Sequence, residues 1–151
     1  MRAVIQRVKR AKVVVNNETV SEIGKGMLVL LGIGKGDNEK DFEYISRKLA
    51  TLRIFEDDKS KFNLSVQDIK GEILIVSQFT LFGDCRKGRR PSFDEAESVE
   101  KSQKIYNNFI DFFKKNYPQI PLKEGVFQAH MEVELINDGP VTFLLDSKKL
   151  F

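Results

Sequence analysis

The sequence predicts one α/β domain, residues 1–151, with mixed β-sheets and two main helices. Three observations predict this fold class. The length of 151 residues is close to the usual size of a single domain. Hydrophobic residues make up 41% of the chain, enough for a core that needs no disulfide or metal. Short apolar runs typical of strands are separated by two longer segments with helical spacing.

The N-terminal part of the chain predicts three strands. Val13 to Val15 end a run rich in valine, the turn-prone pair Asn16-Asn17 follows, and Thr19 to Ile23 continue as a second strand. Met27 to Ile33 is continuously apolar, which is typical of a strand covered on both faces. The chain therefore opens with β-structure.

The middle of the chain predicts two β-α units. Apolar residues with helical spacing indicate a first helix over Asp37 to Leu49, capped by Asp37 or Asn38. A short strand is predicted at Leu52 to Phe55, and residues 56–72 are polar and resemble a loop. The strongest strand pattern is Ile73 to Phe82, where side chains alternate between two faces.

The second helix is predicted to begin near Pro91-Ser92, where Ser92 and Glu95 fit a capping box, and to end before Pro118. Gly125 to Ile136 alternates like a strand, with Phe127 and Met131 on one face and Gln128 and His130 on the other.

Asn137 to Pro140 predicts a turn, and Val141 to Leu145 a last strand. The element order is then two strands, two β-α units and two or three strands. This order favours a mixed sheet over a doubly wound Rossmann domain.

Composition excludes several kinds of site. The single cysteine, Cys85, excludes an intrachain disulfide and favours a reducing, cytoplasmic setting. The single histidine, His130, excludes a multi-histidine metal site within one chain. The longest wholly apolar run, Met27 to Leu31, is too short to span a membrane, and no signal peptide follows Met1.

Two patterns that resemble active-site motifs have simpler explanations. Gly32 to Gly36 follows a strand and precedes a helix, but Asp37 stands where a dinucleotide-binding motif needs its last glycine. A strand-to-helix turn is the favoured interpretation. His130 is predicted on the polar face of its strand, so a catalytic role is disfavoured.

Two other patterns leave alternatives open. Ser77 to Thr80 places polar groups inside an apolar strand, either because they satisfy backbone groups at a strand end or because they line a pocket. A run of cations follows, which is either a solvated loop or a patch that contacts phosphates. The run contains Arg86, Lys87, Arg89 and Arg90.

Five segments resemble the D-aminoacyl-tRNA deacylase family, in the family's order, between Met1 and Asp146. They are Met1–Val8, Leu52–Asp57, Ser77–Leu81, Arg86–Phe93 and Asn137–Thr142. The resemblance implies a homodimer that hydrolyses the ester joining a D-amino acid, or glycine mischarged on tRNA-Ala, to the 3′ adenosine of tRNA. It also implies barrel-like packing in three layers, α/β/β, with neither cofactor nor metal.

The resemblance implies site residues by matching position. The catalytic segment matches Ser77, Gln78, Phe79 and Thr80. Two further positions of the substrate pocket match Phe127 and Met131. A cis Gly-Pro motif that enters the pocket of the other subunit matches Gly139-Pro140, and Arg7 matches the arginine that braces it. The basic run would then hold phosphates of the tRNA acceptor stem.

The chain departs from the family pattern at a few positions. Gly83-Asp84-Cys85 stands where Ala-Asp-Thr is common, and Lys59 to Asn63 matches the usual Gly-Lys-Met-Asn only loosely. Gln128 stands where glycine usually follows the phenylalanine, and His130 replaces a common aspartate. None of these changes falls in the Ser-Gln-Phe-Thr or Gly-Pro motif.

Two mechanisms remain open. In one, Thr80 is the nucleophile. In the favoured one, the ribose 2′-OH of the substrate orients the attacking water, Thr80 only positions groups, and amides near Phe79 and Thr80 stabilise the oxyanion. Rigid carbonyls of Gly139-Pro140 would reject L side chains by a clash. The rival functions are a non-catalytic RNA-binding module, which would use only the basic run, and an esterase without chiral preference.

Overall fold

The computed structural model describes residues 1–151, which form a single mixed α/β domain. Its strands are β1 (Arg2–Val15), β2 (Glu18–Ile23), β3 (Gly26–Gly32), β4 (Phe55–Glu56), β5 (Phe62–Leu64), β6 (Glu72–Ser77), β7 (Leu122–Glu124) and β8 (Glu132–Asp146). Its helices are α1 (Glu39–Thr51) and α2 (Val99–Asn116), and a 3₁₀ turn covers Phe79–Phe82. Neither α-helix is long and apolar enough to cross a membrane.

The main sheet curls because the long strand β1 changes partner along its length. Its first half, Arg2 to Val8, pairs with β3, and its second half, Ala11 to Val15, pairs with β2. The opposite edge of β1 pairs with β8 along almost its whole length. The strand order is β2-β1-β3-β6-β7, with β8 on β1, and β4 and β5 form a separate hairpin. The predicted mixed sheet with barrel-like packing is confirmed.

Two hydrophobic clusters fill the two sides of the sheet. The larger has 21 buried residues and lies between the sheet and the helices; it includes Ile73, Ile75 and Phe109. The smaller has 7 residues, including Leu74 and Val76, and lies between strands of the curled sheet. Neighbouring residues of β6 therefore enter different clusters, so this strand is buried on both faces. The parallel pairs β3–β6 and β6–β7 account for this burial, since α1 and α2 connect their strands.

Helix α1 begins with one of the two caps that the sequence suggested. The Asn38 side chain accepts a hydrogen bond from the Lys40 amide at 3.1 Å, and the Asp41 carboxylate accepts one from the Asn38 amide at 2.9 Å. Asp37 is instead engaged by the Met1 ammonium at 2.6 Å and by the Gly34 amide at 2.8 Å.

Helix α2 begins at Val99, after the cap residue Ser98, so its predicted start near Pro91-Ser92 is wrong. Ser92 pairs instead with Asp84 through two backbone hydrogen bonds of 2.7 and 3.0 Å, and its hydroxyl donates to the Asp94 carboxylate at 2.7 Å. The apparent capping box is therefore the closing pair of a loop. The partner of Ser92 is Asp84, which lies earlier in the chain, so the spacing of residues after Ser92 does not indicate this pairing.

Four more predictions of local structure are wrong. Residues 125–131 form a loop with a turn between Val126 and Ala129, and β8 begins only at Glu132. Asn137 to Pro140 does not interrupt β8 as a turn. The predicted strand at Leu52 to Phe55 shifts to Phe55–Glu56, and the predicted loop contains β5.

Replacing Ser46 by alanine is expected to stabilise the domain by about 1 kcal/mol. A hydroxyl that is buried without a partner loses its hydrogen bonds to water on folding and gains none in the protein. Ser46 is fully buried on α1 and its hydroxyl has no hydrogen-bond partner. Ser65→Ala is the matched control, since this buried hydroxyl donates to Asp68 at 2.6 Å and its loss should destabilise. Urea unfolding measures both changes. A destabilised Ser46→Ala would contradict the expectation.

Candidate active site

The polar segment after β6 is a change of backbone direction. The Gln78 amide still donates to the Leu31 carbonyl at 2.8 Å, as a sheet residue would, but its ψ of 81° turns the chain away. The chain then enters the 3₁₀ turn, so the predicted alternation beyond Ser77 is wrong. Phe79 and Thr80 are exposed at the start of this turn, where amides have no acceptor within the turn.

The glycines before α1 let this turn approach the sheet. A Cβ added to Gly34 would lie 2.5 Å from Cε1 of Phe82, and one added to Gly32 would lie 2.9 Å from the Gln78 carbonyl oxygen. Glycine is therefore needed at both positions for close packing. This packing explains the glycine pattern without a bound nucleotide.

A cavity of about 480 Å³ opens beside the turn. Its walls include the ends of β3 and β6, the loop 125–131, the start of β8 and the start of α2. Five of the residues implied by the family resemblance line it together: Ser77, Gln78, Phe79, Phe127 and Met131. Residues that are far apart in the sequence thus meet at one apolar pocket with a polar side.

The sequence missed several residues of this cavity. Gln128 and His130 were predicted on the face opposite Phe127 and Met131, yet all four line the cavity, because residues 125–131 are a loop and do not alternate. Glu97, Val99 and Ser102 also line it, because α2 begins later than its apparent capping box. No pattern in the sequence marked these three residues as part of a pocket.

The loop that carries Phe127 has a residue in a left-handed conformation. Gln128 has φ of +66°, a value that favours glycine, the residue that the family resemblance implies at this position. Phe127 packs on the buried ring of Tyr106, with ring centroids 5.5 Å apart. Burial raises the pKa of the Tyr106 phenol, so it stays protonated, and its hydroxyl lies 3.5 Å from the Ile75 carbonyl oxygen. Tyr106 thereby supports one wall of the cavity.

Thr80 does not line this cavity. Its hydroxyl oxygen accepts a hydrogen bond from the side-chain amide of Gln78. An amide N–H is a donor and cannot take a proton from the threonine. No general base contacts Thr80 in this arrangement.

The Gly139-Pro140 bond is cis and lies on β8, exposed and away from the cavity lining of its own chain. Arg7 binds Asp138, the residue before Gly139, because its Nε donates a hydrogen bond to the Asp138 carbonyl at 2.8 Å. Its Nη1 donates to the Ile54 carbonyl at 2.9 Å. The guanidinium also stacks over Phe62 at 5.4 Å. A nearly buried arginine on β1 therefore connects the Gly-Pro segment with β4.

The basic run lies in the loop closed by the Asp84–Ser92 pair, away from the cavity lining. Its four cations are not equivalent. Arg86 forms two hydrogen bonds with the Asp84 carboxylate, at 2.9 and 2.7 Å, and these lower the pKa of Asp84 to about 2. The other three are exposed and not paired in this way: Lys87, Arg89 and Arg90. No group of three or more His, Cys, Asp or Glu side chains could hold a metal ion.

Comparisons with known proteins agree with this geometry. A family model described as D-Tyr-tRNA(Tyr) deacylase matches residues 4–146. Proteins named D-aminoacyl-tRNA deacylase from Clostridium acetobutylicum and Thermosipho melanesiensis are 55% and 58% identical over 151 residues, covering 100% of both chains in each case.

Two solved structures share the fold. One is described as c-Myc DNA Unwinding Element Binding Protein, with a TM-score of 0.91, 46% identity, and coverage of 97% of this chain and 98% of that chain. The other, a probable eukaryotic D-amino acid tRNA deacylase, has a TM-score of 0.78 at 18% identity and covers 95% and 97%. From the family match and the identity over the full length, this chain belongs to the D-Tyr-tRNA(Tyr) deacylase family and is a hydrolase.

Proposed function

We propose that the chain hydrolyses the ester between a D-amino acid and the 3′ adenosine of tRNA in the cytoplasm. Water adds to the ester carbonyl, the bond to the ribose oxygen breaks, and that oxygen takes a proton, so that tRNA and the free D-amino acid are released. The observation that carries the proposal is the cavity at the Ser77–Phe79 segment in a chain 55% identical to a named D-aminoacyl-tRNA deacylase. Glycine mischarged on tRNA-Ala is the second proposed substrate, because glycine has no side chain to reject.

Few protein groups are needed for this reaction, because an aminoacyl ester is already activated. A single well-placed donor to the oxyanion contributes about 3–4 kcal/mol to catalysis. The amides of Phe79 and Thr80 at the start of the 3₁₀ turn are the proposed donors. In the favoured mechanism the ribose 2′-OH of the substrate orients the water. The lack of a base at Thr80 supports that mechanism over a threonine nucleophile.

Thr80→Ala is expected to keep at least about a third of the wild-type rate of D-Tyr-tRNA hydrolysis, since removing a true nucleophile costs about 10⁴-fold or more. Single-turnover deacylation measures the rate without a contribution from product release. Thr80→Ser, which retains the hydroxyl, is the matched control. A fall of 10⁴-fold in the alanine variant alone, with the serine variant active, would restore the nucleophile mechanism.

A homodimer is proposed because the Gly-Pro segment does not line the cavity of its own chain. Strand β8 pairs only with β1, so its outer edge is unpaired in one chain. Large apolar side chains are exposed along it, namely Leu135, Ile136 and Leu144. A second copy that covered this strand would bring Gly139-Pro140 to the neighbouring cavity, where its carbonyls would exclude an L side chain.

The basic run is proposed to contact phosphates of the tRNA acceptor stem. Each phosphate contact contributes about 0.7–0.9 to the slope of log K against log salt. Replacing Lys87, Arg89 and Arg90 together by glutamine should therefore reduce that slope by about 2–3. Arg86→Gln should have a smaller effect, because Asp84 already pairs with this arginine.

Binding of uncharged tRNA at several salt concentrations measures these slopes. The matched control is Lys115→Gln, an exposed cation at the end of α2. An unchanged slope in the triple variant would place the tRNA elsewhere on the protein.

The decisive experiment compares matched D-Tyr-tRNA, L-Tyr-tRNA and Gly-tRNA with the purified protein in EDTA. Loss of the D and glycyl esters with the L ester intact is the expected result. Equal loss of the D and L esters would indicate an unselective esterase and would contradict the role of Gly139-Pro140. Binding of tRNA without loss of any ester would leave an RNA-binding module.

A further inference from the structure

We infer that Arg2 is a positioning residue for the deacylation reaction, because it holds the 3₁₀ turn Phe79–Phe82 in place from the side of the sheet. The inference rests on the proposed function. Arg2 lies at the start of β1, far in sequence from the turn, and belongs neither to the Ser-Gln-Phe-Thr motif nor to the cavity lining.

Arg2 contacts two consecutive residues of the turn in two different ways. Its Nη1 donates a hydrogen bond to the Leu81 carbonyl oxygen at 2.9 Å. Its guanidinium lies over the ring of Phe82, 4.6 Å from the centroid. The carbonyl contact fixes the peptide plane after Leu81, and the stacked ring fixes the end of the turn.

The guanidinium is itself held by a buried carboxylate. Arg2 Nε donates to Oδ2 of Asp146 at 3.1 Å, and the side chain of Asp146 is only 2% exposed. The other oxygen of this carboxylate accepts the Lys148 amide at 2.7 Å. Asp146 ends β8, so the end of the last strand fixes the arginine, and the arginine fixes the turn.

The other attachments of the turn are mostly apolar contacts: the Phe79 ring packs on Phe93, with centroids 5.0 Å apart, and Leu81 packs on Gly32. Before the turn, the Gln78 amide bonds to the Leu31 carbonyl; behind it, the Phe82 ring packs on Gly34. Phe79 and Thr80 are exposed. These apolar contacts do not fix the orientation of the peptide planes, whereas the bond from Arg2 to the Leu81 carbonyl does. Its loss would let the turn tilt and would move the proposed oxyanion donors. A misplacement of about 1 Å caused by a residue outside the chemistry can cost about 10²-fold in rate.

The experiment measures kcat and KM for D-Tyr-tRNA with Arg2→Met, Arg2→Lys and Asp146→Asn. Arg2→Met should lower kcat by about 30- to 100-fold and leave KM within about twofold, because binding of tRNA does not need the turn's exact placement. Arg2→Lys should recover only part of kcat, since an ammonium cannot bond Asp146 and Leu81 in one planar fork.

The matched control is Ile45→Val, a core change on α1 that lowers thermal stability without touching the turn. If Arg2 only stabilised the fold, Arg2→Met and Ile45→Val would both keep the wild-type kcat in their folded fractions. Asp146→Asn should also lower kcat. Because Asp146 acts through Arg2, the double variant Arg2→Met/Asp146→Asn should be no slower than Arg2→Met alone.

A wild-type kcat in folded Arg2→Met would overturn this inference and leave the proposed function intact. The inference would also be overturned if Arg2→Lys changed KM and kcat by the same factor relative to the wild type. Failure of the wild-type protein to hydrolyse D-Tyr-tRNA would overturn the proposed function first, and the inference with it.

Discussion

Arg7→Met is expected to lower the free energy of unfolding by about 3 kcal/mol, because two charge-assisted hydrogen bonds to backbone carbonyls are lost together. The arginine is only 5% exposed. Its partners are the Ile54 and Asp138 carbonyl oxygens, at 2.9 and 2.8 Å. The bond to Ile54 is buried, so that carbonyl would be left without a donor in a dry environment.

The ion pairs of Arg7 contribute less than these hydrogen bonds. Its Nη2 lies 3.5 Å from Glu56 and its Nε lies 3.6 Å from Asp138, but both carboxylates are partly exposed. Solvent screens such pairs, so each is worth well under about 1 kcal/mol. The stability loss therefore comes mainly from the two hydrogen bonds that the planar guanidinium donates at once. A lysine ammonium cannot reach both carbonyls, so Arg7→Lys should recover at most one of the two bonds.

Urea unfolding of the variants measures this loss. Arg10→Met is the matched control, since Arg10 is on the same strand but exposed, and it should change stability by less than about 0.5 kcal/mol. The same variants test the proposed chiral rejection: with Asp138 released, Arg7→Met should hydrolyse L-Tyr-tRNA faster than the wild type. A loss below 1 kcal/mol in Arg7→Met would show that the buried bonds contribute little.

The strands of the first half and helix α1 could be predicted because their signals are local. In β3 a continuous apolar run reports burial on both faces, and in α1 the spacing of Phe42, Ile45 and Leu49 reports one buried face. Asn38 caps its own helix. Each pattern lies within the element that it describes.

The other elements depend on partners outside the local sequence. The strand after Glu72 keeps an alternating apolar pattern to Phe82, yet it ends at Ser77 because Leu81 and Phe82 pack onto Gly32 and Gly34. Ser92 matches a helix cap, but its partner is Asp84.

The cavity could be anticipated only in part. Phe127 and Met131 were assigned by family resemblance, while Gln128 and His130 came into the same cavity through the loop conformation. Arg2 lies in the family-like segment Met1–Val8, but the sequence assigned it no role, because its partners, Leu81 and Asp146, are distant in sequence.

Gly139→Ala is expected to reduce the preference for D-Tyr-tRNA over L-Tyr-tRNA by about 10²-fold, which corresponds to about 3 kcal/mol of lost discrimination. Gly139 has φ of +136°, a conformation that L side chains rarely adopt. An added Cβ would lie 2.7 Å from Cγ2 of Val141, 2.9 Å from the Val141 nitrogen and 3.3 Å from Nη2 of Arg7. The backbone of the Gly-Pro segment must therefore move, and its carbonyls would leave the positions from which we propose that they exclude an L side chain.

Gly88→Ala separates this effect from backbone strain in general. Gly88 also has a positive φ, +69°, but an added Cβ would meet nothing within 4 Å, and the residue lies in the basic loop. Initial rates of hydrolysis of D-Tyr-tRNA and L-Tyr-tRNA by both variants and by Pro140→Ala give the D/L ratios. We expect the ratio to fall in the two Gly-Pro variants and to stay at the wild-type value in Gly88→Ala. If Gly139→Ala and Pro140→Ala remained folded and rejected L-Tyr-tRNA fully, the clash that excludes L side chains would have to come from another part of the pocket.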